Sequence, residues 1–113
     1  EVVAAINGLG AQAVSVKGDI AEESDILDIF AAADRLGPLV GLIANAGVVS
    51  LSGRFETYTA DRLHRIMNIN VVGTILCARE AVKRMSTKHG GKGGAIVAIS
   101  SVASVLGSPN EYV

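Results

Sequence analysis

The nine residues Leu39-Val40-Gly41-Leu42-Ile43-Ala44-Asn45-Ala46-Gly47 open on six apolar or small positions and close on an amide and a glycine. Gly37-Pro38 stands before them as a turn signal. A continuous apolar run of that length, bounded on both sides, predicts a strand buried on both faces, as in a parallel sheet covered by helices.

Working outward, the next apolar run with the same outline is 95–99, closed by Ser100-Ser101, and a shorter one lies at 13–17, closed by Gly18-Asp19. Between them lie segments with helical spacing. Residues 22–36 carry Ile26, Ile29, Phe30 and Ala33 on one stripe, with Glu22, Glu23 and Asp25 in the first turn complementing the helix dipole. Residues 61–85 form the longest periodic segment: Leu63, Met67, Val71, Ile75, Ala78, Val82 and Met85 step by three or four, which predicts the core-facing stripe, and Thr59 is placed to cap it. Residues 2–6 read as the last turns of a helix stopped by Asn7-Gly8. Residues 48–58 read as a loop with some irregular helix, and 86–94 as a polar, Gly-rich connector. Helices alternating with strands predict βαβ units. The expected fold class is therefore α/β: part of a doubly wound, Rossmann-like parallel sheet with three strands and helices on both faces.

Bulk properties agree and exclude other classes. Of 113 residues, 50% are hydrophobic and 4% aromatic, an aliphatic bias suited to buried parallel strands. A net charge of −1, spread along the chain, argues against a nucleic-acid partner. No apolar run approaches membrane-spanning length, so no membrane partner is expected. The single cysteine, Cys77, excludes an internal disulfide and a Cys-rich zinc site, and His64 and His89 lack partners at metal spacing, so no metal is expected. A reducing, cytoplasmic location is the expectation.

In open parallel sheets, ligands bind beyond the carboxyl ends of the strands. The residues there are Asp19, then Asn45-Ala46-Gly47, then Ser100 and Ser101. Asn70 joins them: it falls on the apolar stripe of the long helix, where an amide needs hydrogen-bond partners. Gly73 lies one turn on and costs about 1 kcal/mol relative to alanine in a helix interior. Together the two predict a perturbed helical turn facing something polar. Each residue also has a plainer reading: Asp19 as a turn or capping residue, Asn45 as a bond between strands, Asn70 as a satisfied core amide, Ser101 as an ordinary strand-end serine.

Asn45-Ala46-Gly47 after an apolar strand, Asn70-Val71-Val72-Gly73 in a long helix, and Ile96-Val97-Ala98-Ile99-Ser100-Ser101, in that order, resemble the short-chain dehydrogenase/reductase family, and the resemblance extends over essentially all 113 residues. It implies hydride transfer between a nicotinamide cofactor, NAD or NADP, and a small alcohol or ketone. By that resemblance Asp19 and Ile20 would contact the adenine, and Asn45, Ala46 and Gly47 would lie beside the cofactor ribose. Ser101 would hydrogen-bond the substrate oxygen, being the serine that precedes Val102-Ala103, and the main-chain carbonyl of Asn70 would hold a water in a proton relay. The family's tyrosine, general acid or base toward the substrate, and the lysine four residues after it are expected just beyond Val113. Tyr112 lies only eleven residues after Ser101, short of the family spacing. Residues 1–113 are thus expected to be an incomplete NAD(P)-binding domain, without the Gly-rich phosphate loop and the Tyr/Lys region, and inactive by itself. A homodimer or homotetramer built partly on the long helix is implied for the parent protein. The alternative is a dinucleotide-binding sensor without catalysis.

Other features have bland readings. Gly8-Leu9-Gly10-Ala11-Gln12-Ala13 matches a dinucleotide fingerprint in letters, but it follows a helix and precedes a strand, so it reads as a turn. Gly90-Gly91-Lys92-Gly93-Gly94 lacks phosphate-loop spacing and reads as a mobile connector. Cys77 reads as a small core hydrophobe, and Arg79, Lys83 and Arg84 as a solvated helix face.

Overall fold

The structure is a computed structural model that describes residues 1–49 and 51–107; Tyr112 lies outside the described residues. Its centre is a parallel pair of strands, β1 (Gly41–Ala44) and β2 (Ala95–Ala98), in register Gly41 to Ala95 and Ala44 to Ala98. Flanking bonds lengthen the ladder: Ala95 N–H donates to Val40 O (3.1 Å) and Ile99 N–H donates to Ala44 O (2.9 Å). Parallel strands need a long crossover. Here it is one helical rod of three parts: α3 (Ala60–Met67), a π-helical turn (Asn68–Gly73) and α4 (Thr74–Met85). α1 (Val2–Gly8) and α2 (Glu23–Asp34) precede β1, and a short α5 (Ala103–Leu106) follows β2.

The core lies between α2, α4 and β1. Ile26, Phe30, Ala81 and Met85 are buried together, with Ile20, Leu39, Leu42, Leu76 and Cys77 packed around them. Cys77 is the small core hydrophobe expected of it, and partial burial pushes its thiol pKa up.

Three expectations about packing need correction. Residues 13–17 form no strand; Val14 and Val16 are 46% and 40% exposed, and the described residues pair only two strands. The cause is the order of a doubly wound sheet: residues 13–17 hold the place of its third strand and β1 and β2 those of the fourth and fifth, and the third lies beside the second and not the fourth. Without a lateral neighbour, its backbone groups have no ladder to join. Second, β1 is covered on one face only. Leu42 packs against the core, whereas Ile43 is 71% exposed, because α4 lies on one side of the pair, α2 stacks against α4, and α1 buries none of its residues. Third, the stripe read along the long helix is the core face only in part. Met67, Val71, Ile75 and Val82 are exposed, Leu63 and Ala78 are half-buried and Met85 is buried, while the other buried positions, Ile66, Ile69, Gly73, Glu80 and Ala81, lie off the stripe. The π turn explains the shift: its i to i+5 bonding inserts a residue and rotates the faces of α3 and α4 relative to one another.

The helix start is as expected. Thr59 Oγ1 accepts a hydrogen bond from Arg62 N–H at 3.3 Å. Thr59→Ala is therefore expected to cost about 1 kcal/mol, read as a lowered urea midpoint, with Thr59→Asp close to wild type.

The Gly-rich segment 90–94 is a close-packed end to α4, not a free connector. Gly91 N–H donates to Ser86 O (2.9 Å) and Gly93 N–H to Met85 O (2.8 Å), which satisfies carbonyls at the helix terminus. Gly90 sits at φ 85° and Gly93 at φ 86°, where only glycine is unstrained.

Candidate active site

The parallel pair brings two carboxyl ends to one edge, and a cleft of about 600 Å³ opens there. Its walls are Ala44 to Val49 after β1, Ala98 to Ser101 after β2, and Asn70 with Thr74 from the crossover helix. Asn45, Ala46, Gly47, Asn70 and Ser101 thus line one cleft. Asp19 and Ile20 do not.

Asn70 is fixed at both ends of its amide. Val48 N–H donates to Asn70 Oδ1, and Asn70 Nδ2 donates to Val48 O, each at 2.8 Å. The side chain acts as a strand residue would, pinning the segment that leaves β1 to the helix. The expected perturbed turn is the π turn itself, and Asn70 sits inside it. Gly47 lies against the same amide; a Cβ there would stand 3.5 Å from Asn70 Oδ1, an ordinary contact, so space alone does not require glycine. The Asn45 side chain is exposed at the cleft wall.

Ser101 begins α5. Its Oγ accepts from Ala103 N–H at 3.2 Å, and its carbonyl accepts from the Ser104 hydroxyl at 2.7 Å. This turn orients the Ser101 hydroxyl and, among the described residues, leaves its proton free to donate.

Asp19 belongs to a tight turn before α2. Its Oδ1 accepts from Ala21 N–H (3.0 Å), and its own N–H donates to Asp25 Oδ2 (2.8 Å). The plain capping role is therefore present, and among the described residues the second carboxylate oxygen is left over. The turn reaches the cleft indirectly. A Cβ on Gly73 would collide with the Ile20 carbonyl and lie 2.9 Å from Ile20 Cγ1. Gly73 is thus the point where the Asp19-Ile20 turn rests on the helix that carries Asn70.

The pattern along the sequence did not single out Thr74, Arg62 or Glu80. Arg62 stacks over the Tyr58 ring (3.6 Å to the centroid) and bonds Leu51 O, holding the loop after the cleft onto α3. Glu80 is buried and surrounded by Arg79, Lys83 and Arg84. These three bases are therefore not simply a solvated face. Arg84 also pairs with Asp34 through Nε (2.8 Å) and Nη2 (2.9 Å), and Arg79 with Glu23, tying α4 to α2.

Residues 1–113 match the short chain dehydrogenase family throughout their length. The chain belongs to that family. It is 47% identical over 114 residues to the Escherichia coli (strain K12) protein named "Uncharacterized oxidoreductase YgfF", covering 100% of this chain and 46% of that one. A Burkholderia cenocepacia J2315 short chain dehydrogenase, solved in complex with NADP, superposes with a TM-score of 0.82 at 28% identity, over 96% of this chain and 42% of that one. An NAD+-bound xylitol dehydrogenase superposes with a TM-score of 0.83 at 27% identity, over 96% and 41%. The chain spans just under half the length of these relatives. They establish the Rossmann-like α/β fold of which the β1–β2 pair is a part. Among the described residues, no helix is long and apolar enough to cross a membrane, and no cluster of His, Cys, Asp or Glu could hold a metal ion.

Proposed function

We propose that this chain supplies part of the active site of an NAD(P)-dependent oxidoreductase acting on a small alcohol or ketone. The observation that carries the reading is the convergence of Asn45, Asn70 and Ser101 on one cleft at the carboxyl edge of a parallel sheet. The residues suit a dinucleotide: the wall at Ala46-Gly47 has almost no side chain, so a flat ligand could approach the backbone, and polar groups remain for its ribose. When bound, the nicotinamide exchanges a hydride with the substrate carbon.

The chain's own residues hold and orient. The Ser101 hydroxyl, aimed by the α5 turn, donates to the substrate oxygen as charge develops on it. Asn70 fixes the post-β1 segment, so that Asn45, Ala46 and Gly47 keep their place beside the cofactor. Asp19, with Ile20 beside it, contacts the adenine from the turn that rests on Gly73. We expect the tyrosine and lysine of the family outside the described residues. The chain spans under half of its relatives, and we read turnover as belonging to the whole protein and not to residues 1–113 alone. The exposed Met67, Val71, Ile75 and Val82 suit a subunit contact in a homodimer or homotetramer, and a cytoplasmic location accords with this reading.

Ser101→Ala in the intact protein is expected to lower kcat about 100-fold, the loss of one well-placed donor, with cofactor affinity unchanged. Steady-state rates with NAD+ and NADP+ over a panel of secondary alcohols, beside cofactor fluorescence titration, check this. Near-normal kcat would move the role away from Ser101.

A further inference from the structure

A second cavity, of about 380 Å³, adjoins the cleft and shares Val48 and Val49 with it. Leu51 and Ile66 complete its apolar lining, and among the described residues its remaining walls are Arg62 and Arg65. Two cations thus line an otherwise apolar space, with no acid beside them in its walls. The other two arginines of the crossover helix differ: Arg79 and Arg84 pair with the carboxylates of Glu23, Glu80 and Asp34. For Arg65 a partner is at hand in the sequence. Asp61 stands four residues before it, the spacing at which a helix joins an acid to a base. Among the described residues Arg65 nevertheless makes no ion pair or hydrogen bond, and it faces the cavity. Arg62 is held by Leu51 O and the Tyr58 ring, but it too meets no acid among the described residues, and its Nε is buried without an acceptor. A buried donor without a partner is costly, and for a guanidinium the fitting partner is an anion.

A guanidinium presents a planar fork that matches two oxygens of a carboxylate or phosphate, and apolar walls strengthen the attraction by excluding water. The wall common to both spaces is fixed, because the Asn70 amide pins Val48. A ligand with its reacting carbon at Ser101 can therefore lay an aliphatic stem across Val49, which is 87% exposed, and end at the arginines. We propose that Arg62 and Arg65 form an anion subsite that selects substrates with a carboxylate or phosphate at the end of an aliphatic stem. The inference rests on the oxidoreductase reading and names the substrate class for it. The anion takes no part in hydride transfer and keeps its charge; its contacts place the distant reacting carbon.

The test uses the intact protein and four secondary alcohols of equal length, ended by a carboxylate, a phosphate, a methyl ester or an ammonium group. The wild type is expected to favour an anion over the ester about 10- to 100-fold in kcat/KM, as charge-assisted hydrogen bonds allow, and the preferred anion identifies the group. Arg65→Gln should cut that ratio about tenfold, and Arg65→Glu should reverse it in favour of the ammonium. Arg65 is the position to vary because it is exposed, whereas Arg62 also holds the loop through Leu51 O. Calorimetry with the saturated carboxylate and alkyl phosphate of the same length, which cannot react, reads the subsite directly: binding of the preferred anion should weaken with salt and in Arg65→Gln. A ratio near one in the wild type, or a ratio that Arg65→Gln leaves intact, overturns the proposal. Should the variants not fold, wild-type binding of neither anion does the same. Turnover of the ester without any anion preference rejects the subsite alone. If none of the alcohols is oxidised while an anion still binds and Arg65→Gln weakens it, the subsite stands and the oxidoreductase reading falls.

Discussion

Gly73→Ala is expected to destabilise the protein by about 3 kcal/mol or more, at the upper end of what overpacking costs. Helix propensity alone argues the other way, since alanine is favoured over glycine in a helix interior by about 1 kcal/mol. Sterics decide between them. Gly73 is buried, and a Cβ there would press on the Ile20 carbonyl oxygen and its carbon, with Ile20 Cγ1 only 2.9 Å away. The side-chain atom could rotate aside, but the carbonyl belongs to a turn pinned by Asp19 Oδ1 to Ala21 N–H and by Asp25 to Asp19 N–H. Either the turn or the helix must therefore move. Movement of the helix draws Asn70 away from Val48, so the cleft is disturbed along with the core. Urea unfolding of the intact protein should show a lower midpoint with an unchanged slope. Ile20→Ala in the Gly73→Ala background should recover little, because it removes only the movable part of the clash. A midpoint equal to or above wild type would mean that the turn does not rest on Gly73.

Much of this arrangement was legible in the sequence, for identifiable reasons. The runs at 39–44 and 95–99 show as strands because a parallel pair under a helix needs uninterrupted apolar residues. Asn45, Asn70 and Ser101 could be named because strand ends and a costly amide-glycine pair mark places where burial alone does not explain the residue. Two misreadings share one cause. Linear patterns report that a face is apolar without reporting what covers it. The stripe through Met67, Val71, Ile75 and Val82 is real, yet a π turn and the absence of a neighbour leave it outside. Residues 13–17 have a strand's composition but no strand beside them. Gly73 signalled the distorted turn, which is there, but a helix-interior glycine points to close approach as readily, and only coordinates show Ile20 against it.

The least legible element is Glu80, and removing it carries the second large effect. Read along the helix, Arg79, Glu80, Lys83 and Arg84 look like common surface pairs, each worth little. In the fold the Glu80 side chain is only 4% exposed and accepts from Lys83 Nζ (2.7 Å), Arg84 Nη1 (3.0 Å) and Arg79 Nε (3.1 Å). Arg84 also stacks over Phe30, 5.0 Å from the ring centroid, so the network covers the core. The Lys83 ammonium first, then Arg84 and Arg79, hold the Glu80 carboxyl down to about 2, against an ordinary 4.5, although burial acts in the opposite direction. Glu80→Ala should cost about 3 kcal/mol at pH 7, because it strands cations arranged around a buried anion. Arg79 and Lys83 can still turn to water, which keeps the loss at the low end of that class. Glu80→Gln, which keeps acceptors but no charge, should fall between. The sign of the pH dependence follows from the depressed value: Glu80 contributes its full stabilisation above about pH 4.5 and loses it as pH falls toward 2. The gap between wild type and Glu80→Ala, measured by urea unfolding at pH 7, 4 and 3, should therefore narrow steadily. A gap that stays constant or widens in acid would show that Glu80 supports α4 by shape and not by charge.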